Sequence, residues 1–337
     1  MEQTVTTLLE EALANRIGLF DEHHLEAFRL FNGFTEGLPG LAVDLYASSL
    51  VIQNLADPPS LLEAAVHTSR EFYNIRLSWL QTIILKTRHA DTLEQKCGTL
   101  LLGSIPSDRV REHGVWYSLD LLMQQDASLY LDTRNLRHWA IQNLKGKTVL
   151  NTFAYTGSLG IAAWAGDAHR VLQMDRNRAY LNVAKTSCTL NGFPIHKADY
   201  LVGDFWALTS RLNRQGELFD CVFLDPPFFA SGNKGTVDLE KNTQRLINKL
   251  RPLVRDGGWL VAVNNALFVS GKDYLSSLEE LCTEGYLHIE DLLPVPDDFC
   301  GYPSAPHGGM HLNTFPLDPA PFNHPTKIAI LKVHRKS

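Results

Sequence analysis

From about residue 133 onward the chain alternates short apolar runs with stretches of helical period, and this rhythm restricts the fold more than any other feature. Strand-length runs separated by helical patterns of roughly ten to fifteen residues build a mostly parallel sheet covered by helices on both faces. The runs fall at residues 148–152, 170–175, 197–202, 219–225, 258–264 and 288–293, with a closing strand at 327–333. Helical spacing fits 134–144, 158–166, 177–190, 238–254 and 272–285. The earlier part reads differently. Residues 5–28 carry a loosely amphipathic helical pattern, 41–46 and 50–54 alternate as a hairpin, and a helix over 60–74 precedes strands at 83–86 and 116–122. The expected organisation is a helical segment over 1–28, a small α+β domain for substrate recognition over 29–122, and a doubly wound α/β domain over 123–337.

Length and chemistry narrow the classes. A chain of 337 residues is long enough for two domains, and a hydrophobic content of 45% supplies a substantial core. No apolar window reaches the length of a membrane span, and the first twenty residues lack the basic start and small-residue cleavage site of a secretory signal. Cys97, Cys188, Cys221, Cys282 and Cys300 are scattered without a CxxC pair, which predicts reduced thiols, no metal centre and a cytoplasmic protein. A monomer or a homodimer is expected, with no choice between them from the sequence. The net charge of −6 gives no bulk attraction for a polyanion, although a local face still can. Lys241, Arg245 and Lys249, spaced i, i+4, i+8, share one face if helical and follow Lys234. They read either as a solvated face or as an RNA-binding one.

Three apolar runs end in acids. The first strand runs into Thr152-Phe153-Ala154-Tyr155-Thr156-Gly157-Ser158-Leu159-Gly160, a glycine loop that then turns helical. It is neither the GxGxxG of dinucleotide enzymes nor the GxxxxGK[ST] of phosphoryl transfer. Asp175 ends the second strand, where an acid accepts both ribose hydroxyls of an adenosine ligand or else caps the next helix. Asp204 ends the third beside Phe205 and Trp206, in place to accept from an adenine amino group. Asp225 opens a lip, Asp225-Pro226-Pro227-Phe228, at the edge where open α/β sheets bind ligands. Prolines remove backbone donors and free carbonyls as acceptors, so acid, carbonyl and ring together suit a planar nitrogenous substrate.

The stretch from Asn151 to Gly160 resembles motif I of class I S-adenosylmethionine-dependent methyltransferases, and is similar in particular to bacterial large-subunit (23S) ribosomal RNA methyltransferases of the cytosine-C5 and guanine-N7 types. Tyr130-Leu131-Asp132-Thr133-Arg134, Leu190-Asn191-Gly192 and the lip resemble the same family, as do Arg29-Leu30-Phe31-Asn32-Gly33, Gly37-Leu38-Pro39-Gly40 and Glu112-His113-Gly114 upstream. The resemblance spans about residues 29–333 and leaves too little chain before Arg29 for the N-terminal PUA domain that some relatives carry. It implies a Rossmann-like seven-stranded sheet with an antiparallel last strand, S-adenosylmethionine as methyl donor and S-adenosylhomocysteine as product. Tyr130, Asp132 and Arg134 would close over the methionine end, and Phe153, Tyr155 and Gly157 would line the middle. Asp175 would hold the ribose and Asp204 the adenine, with Asn151, Thr156, Arg176, Phe205 and Asp225 completing the cofactor set.

The acceptor follows from how a nucleophile is activated. Carbon-5 of a pyrimidine needs a thiolate to add to the ring, whereas a nitrogen needs orientation. Where the C5 branch of the family carries a cysteine, this chain has Val263-Asn264-Asn265, similar to the guanine-N7 branch. Cys221 reads as core, and Cys300 as the one loop thiol within reach. Asp225 and the Pro226 carbonyl are expected to grip the acceptor, Phe228 to stack on it and Asn264 to hydrogen-bond it or end the strand, with 230–235 as a flap. The expected function is methyl transfer to a nitrogen of an RNA base, most simply ribosomal. The alternatives are a methyltransferase for a small molecule or protein side chain, and a non-catalytic cofactor-binding module.

Overall fold

The computed structural model describes residues 4–232, 235–302 and 315–335. The chain divides into two compact units, one formed by Met1–Leu131 with Asp297–Thr314 and the other by Asp132–Pro296 with Phe315–Ser337.

In the first unit, helix α1 (Val5–Asn15) starts where the Thr4 hydroxyl accepts the Thr7 N–H. Its Leu8, Leu9 and Ala12 join one core with Phe28, Leu30, Val43 and Ile52, so residues 1–28 are part of this unit rather than a separate segment. The helix expected over 5–28 is also shorter: α1 ends at Asn15, a 3-10 turn follows at Ile17–Leu19, and Asp21 then turns the chain. Its carboxylate accepts the N–H groups of His23, Leu25 and Glu26, which diverts them from helical bonding. Strands β1 (Ala27–Phe31), β2 (Leu41–Tyr46) and β3 (Ser49–Asn54) follow, then α2 (Glu63–Arg76), β4 (Thr82–Thr87), α3 (Leu93–Cys97) and β5 (Thr99–Leu102). They form a sheet in the order β1-β2-β3-β4-β5, antiparallel except where α2 returns the chain to lay β4 parallel to β3. Strands β6 (Arg109–Glu112) and β7 (Val115–Ser118) make a hairpin. A short helix at Asp297–Cys300 completes the unit: Asp298 accepts the Arg29 N–H at 2.8 Å, and the Arg29 guanidinium lies 4.2 Å from the Phe299 ring centre. Cys300 is buried there, 5% exposed, so the loop expected around it is instead a packed helix end.

In the second unit the boundary falls at 131/132 rather than 122/123. Its elements are α4 (Arg134–Asn143), β8 (Thr148–Thr152), α5 (Ser158–Ala165), β9 (Arg170–Asp175), α6 (Arg178–Asn191), β10 (Tyr200–Val202), α7 (Phe205–Arg214) and β11 (Phe219–Leu224). A hairpin, β12 (Phe229–Gly232) and β13 (Gly235–Asp238), leads to α8 (Thr243–Leu250), β14 (Val254–Asn264), α9 (Gly271–Cys282), β15 (Leu287–Leu293) and β16 (Lys327–Val333). Seven strands make one sheet in the order β10-β9-β8-β11-β14-β16-β15, and β16 runs antiparallel to both neighbours. The central strands are mostly apolar because both faces are covered: Val222, Phe223 and Leu224 of β11 are at most 1% exposed. Two segments depart from the expected pattern. Residues 197–199 form a turn of 3-10 helix before a three-residue β10, and the helix expected from 238 begins only at Thr243. There the Asp238 carboxylate accepts the N–H groups of Glu240 and Lys241 and holds a turn instead. Among the described residues no helix is long and apolar enough to cross a membrane.

Candidate active site

The strand order reverses between β8 and β11, and open α/β sheets bind ligands in the crevice beyond the carboxyl ends of such a pair. Register puts those ends side by side, with Leu224 opposite Thr152, Thr152 opposite Met174, and Val202 opposite Asp175.

Beyond β8 the chain makes a contorted turn. Phe153, Tyr155 and Gly157 take left-handed φ values of 51°, 51° and 80°. For two aromatic residues this conformation is costly and persists only where surroundings impose it, commonly at functional sites. The surroundings are specific. Asp175 Oδ2 accepts the Tyr155 N–H at 2.9 Å, the Ala154 N–H donates to Met174 O at 2.9 Å, and the Gly157 N–H closes back on Ala154 O at 2.7 Å. From below, Asn151 Nδ2 donates to Gln173 Oε1 at 2.8 Å and Gln173 Nε2 donates to Gly157 O at 3.2 Å. A Cβ on Gly160 would lie 2.3 Å from Gln173 Nε2, and one on Gly157 would lie 2.5 Å from the Ala184 Cβ. The glycines therefore admit Gln173 and α6 beneath the loop. Asn151 is 1% exposed and works as a strut, not as the cofactor contact expected from the sequence. Gln173, which sequence reasoning passed over, is the centre of this support; a polar residue inside an apolar strand run is the signal that marks it.

The three acids have three different surroundings. Asp175 is not the cap of α6, because Asn177 is. Asp175 Oδ1 accepts the Asn177 N–H and Oδ2 the Tyr155 N–H, and the Arg176 N–H also bonds the carboxyl. Burial raises its pKa, while these N–H groups and the Arg176 charge pull it down. Asp204 does cap α7, accepting the Ala207 N–H at 3.0 Å. Phe205 is 5% exposed and stacks behind the half-buried Phe153, ring centres 4.7 Å apart, so Phe153 is the accessible ring of the pair. Tyr155 meets Tyr180 edge-on at 4.7 Å, Thr156 is buried, and Arg176 is exposed at the end of β9.

Asp225 has the third environment. It is partly buried, and no donor among the described residues bonds its carboxyl. Burial, and next the negative charge of Asp132, push its pKa up to about 7, while buried Arg137 pulls it down. Asp132 accepts from the Thr326 hydroxyl at 2.7 Å, and Arg137 donates to the Thr133 hydroxyl at 2.8 Å. Arg137 is fully buried and was not singled out in the sequence. Arg134 opens α4 beside these groups in sequence, whereas Tyr130 belongs to the first unit, where its hydroxyl donates to Asp126. Pro226 is buried and Phe228 is 43% exposed. The expected flap is in fact the β12–β13 hairpin, fixed at its base by the Leu239 N–H on Phe228 O and by Val237 and Leu239 in the core. Lys234 lies outside the described residues.

One expected contact is spent inside the protein, and two expected cations lie against α7. Asn264 is fully buried; its amide donates to Leu239 O and the Thr243 hydroxyl and accepts the Ala266 N–H, so it ties β14 to the hairpin rather than facing an acceptor. Lys241 precedes α8 instead of sharing its face, Arg245 stacks 4.6 Å from the Trp206 ring, and Lys249 donates to the Ser210 hydroxyl at 2.7 Å. Within the second unit Cys221 is fully buried, which raises its thiol pKa.

Comparison with known proteins agrees with this geometry. The profile of a family described as S-adenosylmethionine-dependent methyltransferase matches residues 30–312. The chain is 33% identical over 263 residues to the ribosomal RNA large subunit methyltransferase I of Vibrio cholerae, covering 75% of this chain and 64% of that protein. The protein of the same name from Photobacterium profundum is 28% identical over 268 residues, covering 77% and 66%. The chain thus spans less than two thirds of the length of these relatives. Among solved structures, SMU.776, described as a methyltransferase and crystallised with S-adenosylhomocysteine, superposes with a TM-score of 0.82 at 20% identity, covering 99% of this chain and 83% of its own. A methyltransferase from Agrobacterium tumefaciens gives 0.60 at 16% identity, with 88% of each chain covered.

Proposed function

The chain belongs to the S-adenosylmethionine-dependent methyltransferase family, and from that membership we propose that it methylates a base of large-subunit ribosomal RNA at a nitrogen atom. Bound S-adenosylmethionine supplies an electrophilic methyl carbon on a sulfonium. Asp175 binds the ribose diol, and the strained loop from Phe153 to Gly157 shapes the wall along the cofactor. The observation that carries the acceptor reading is Asp225, a carboxyl without a hydrogen bond among the described residues, with a pKa pushed up to about 7, at the switch point and close in sequence to the exposed Phe228 ring. Phe228 stacks on the presented base, and Asp225 with the Pro226 carbonyl accepts from its N–H edge, holding the nucleophilic nitrogen in line with the methyl group. A carboxyl near pKa 7 also takes up a proton at physiological pH, so charge released as the base is alkylated has a place to go. Nitrogen is favoured over carbon-5 because Cys221 is sealed in the sheet and β14 ends in asparagine. Such a protein works beside ribosomes in the cytoplasm.

The test is transfer of a labelled methyl group to ribosomal RNA from host cells lacking this protein, followed by nucleoside mass spectrometry. An N-methylated nucleoside is the expected product. Formation of 5-methylcytidine would overturn the nitrogen assignment, and label appearing only in protein or small molecules would overturn the RNA substrate.

A further inference from the structure

Strand β10 is the edge of the seven-stranded sheet and only three residues long, with α6 and α7 on either side of it in sequence. Along this edge runs an open groove of about 650 Å³ lined by Arg178 and Lys185 of α6, Lys197 before β10 and Arg211 of α7, with Ile195 and Tyr200 between them. No acidic side chain lines it. Among the described residues none of the four cations makes an ion pair. The Lys185 ammonium lies 4.9 Å from the Tyr200 ring centre and otherwise touches Asn182. The nearby acid, Asp199, is buried and bonded to Arg170 at 2.8 Å, so its charge is offset behind the groove. This is an unneutralised cationic face on a chain of net charge −6.

Four cations without an ion pair among the described residues, gathered from three elements with no acid lining the groove, are more than a solvated edge needs. We propose that this groove binds the phosphate backbone of the RNA substrate, away from the acceptor wall at Asp225. The inference rests on the reading of the substrate as RNA and adds where the strand is held. Charge complementarity favours a polyphosphate occupant: cations spaced along a groove neutralise successive phosphates and release counterions, whereas the exposed Ile195 and the Tyr200 ring offer apolar contact to sugars. The cations expected to do this from the sequence, Arg245 and Lys249, lie against Trp206 and Ser210 of α7 and do not line this groove.

The experiment measures binding of a fluorescent ribosomal RNA fragment against potassium chloride concentration, for the wild type and for the Lys185→Gln, Arg211→Gln and Lys185→Gln/Arg211→Gln variants. Calorimetric titration with S-adenosylhomocysteine checks that each variant is folded. The double variant is expected to lose roughly 0.7–0.9 of slope in log affinity against log salt for each cation removed, with cofactor affinity unchanged. Wild-type and double-variant slopes that coincide, with cofactor binding intact, would overturn the groove assignment while leaving the RNA substrate standing. Absence of salt-dependent RNA binding by the wild type itself would instead sink the reading on which it rests. A double variant that self-associates on size exclusion and binds RNA as the wild type does would assign these cations to guarding the sheet edge, and would also overturn the proposal.

Discussion

Asp225 carries a charge that burial and Asp132 disfavour and that no hydrogen bond among the described residues offsets. Its folded-state pKa of about 7 stands above the ordinary value of 3.8, so between those values the unfolded chain binds fewer protons than the folded one. Stability therefore declines as pH rises from about 4 to about 7. Asp225→Asn should flatten part of that decline, by up to roughly 2–4 kcal/mol, in urea unfolding followed at pH 5 and pH 8 without cofactor, and should stop methyl transfer. Asp175, raised in the same direction, keeps part of the slope in the variant. The glycine loop gives a second residue-scale outcome. Gly160→Ala forces a methyl group against Gln173 and should cost about 1–3 kcal/mol; the same change made with Gln173→Ala should cost less, and equal costs in both backgrounds would refute the contact. Of these roles, the sequence makes the acids legible because each closes an apolar run. It hides that Asn151 faces the core and that Gln173 holds the loop, because which face a strand residue takes depends on the neighbours it packs against.

At the scale of elements, β8, β9 and β16 stand where the apolar runs put them, since buried strands leave a largely hydrophobic trace. The hairpin after the lip left no such trace, and the helix after it looked too long because Asp238 takes backbone donors locally. That shift has consequences for charge. Changing Arg245 and Lys249 on α8 to glutamine should leave the salt dependence of RNA binding at the wild-type slope, because both serve α7; a fall of about one per cation would return them to the RNA face. Asn264→Ala at the end of β14 leaves the Ala266 N–H and Leu239 O without their partner. It should lower stability by about 1–3 kcal/mol in urea unfolding, while retaining cofactor affinity in calorimetry. Wild-type stability in that variant would mean that the amide does not tie β14 to the hairpin.

At the scale of the whole molecule, the two-part division was visible as a change of rhythm, but the return of residues after 296 to the first unit was not, since that depends on side chains far apart in sequence. Arg16, 1% exposed, finds a carbonyl at Asp298, and Arg29 finds the Asp298 carboxylate by its backbone, from positions more than two hundred residues away. Chains ended before Lys327 should fail to give a cooperative unfolding transition by circular dichroism, and a cooperative one would contradict the pairing of β16. That pairing also bears on how the protein is made. Strand β16 lies between β14 and β15, yet it is synthesised after both. A nascent chain that has just completed β15 holds one unit awaiting Asp298 and a sheet with a missing inner strand. The side of β14 that β16 will cover is then open to any other strand that reaches it first, so the order of synthesis leaves the seven-stranded sheet exposed to mispairing until its last strand emerges.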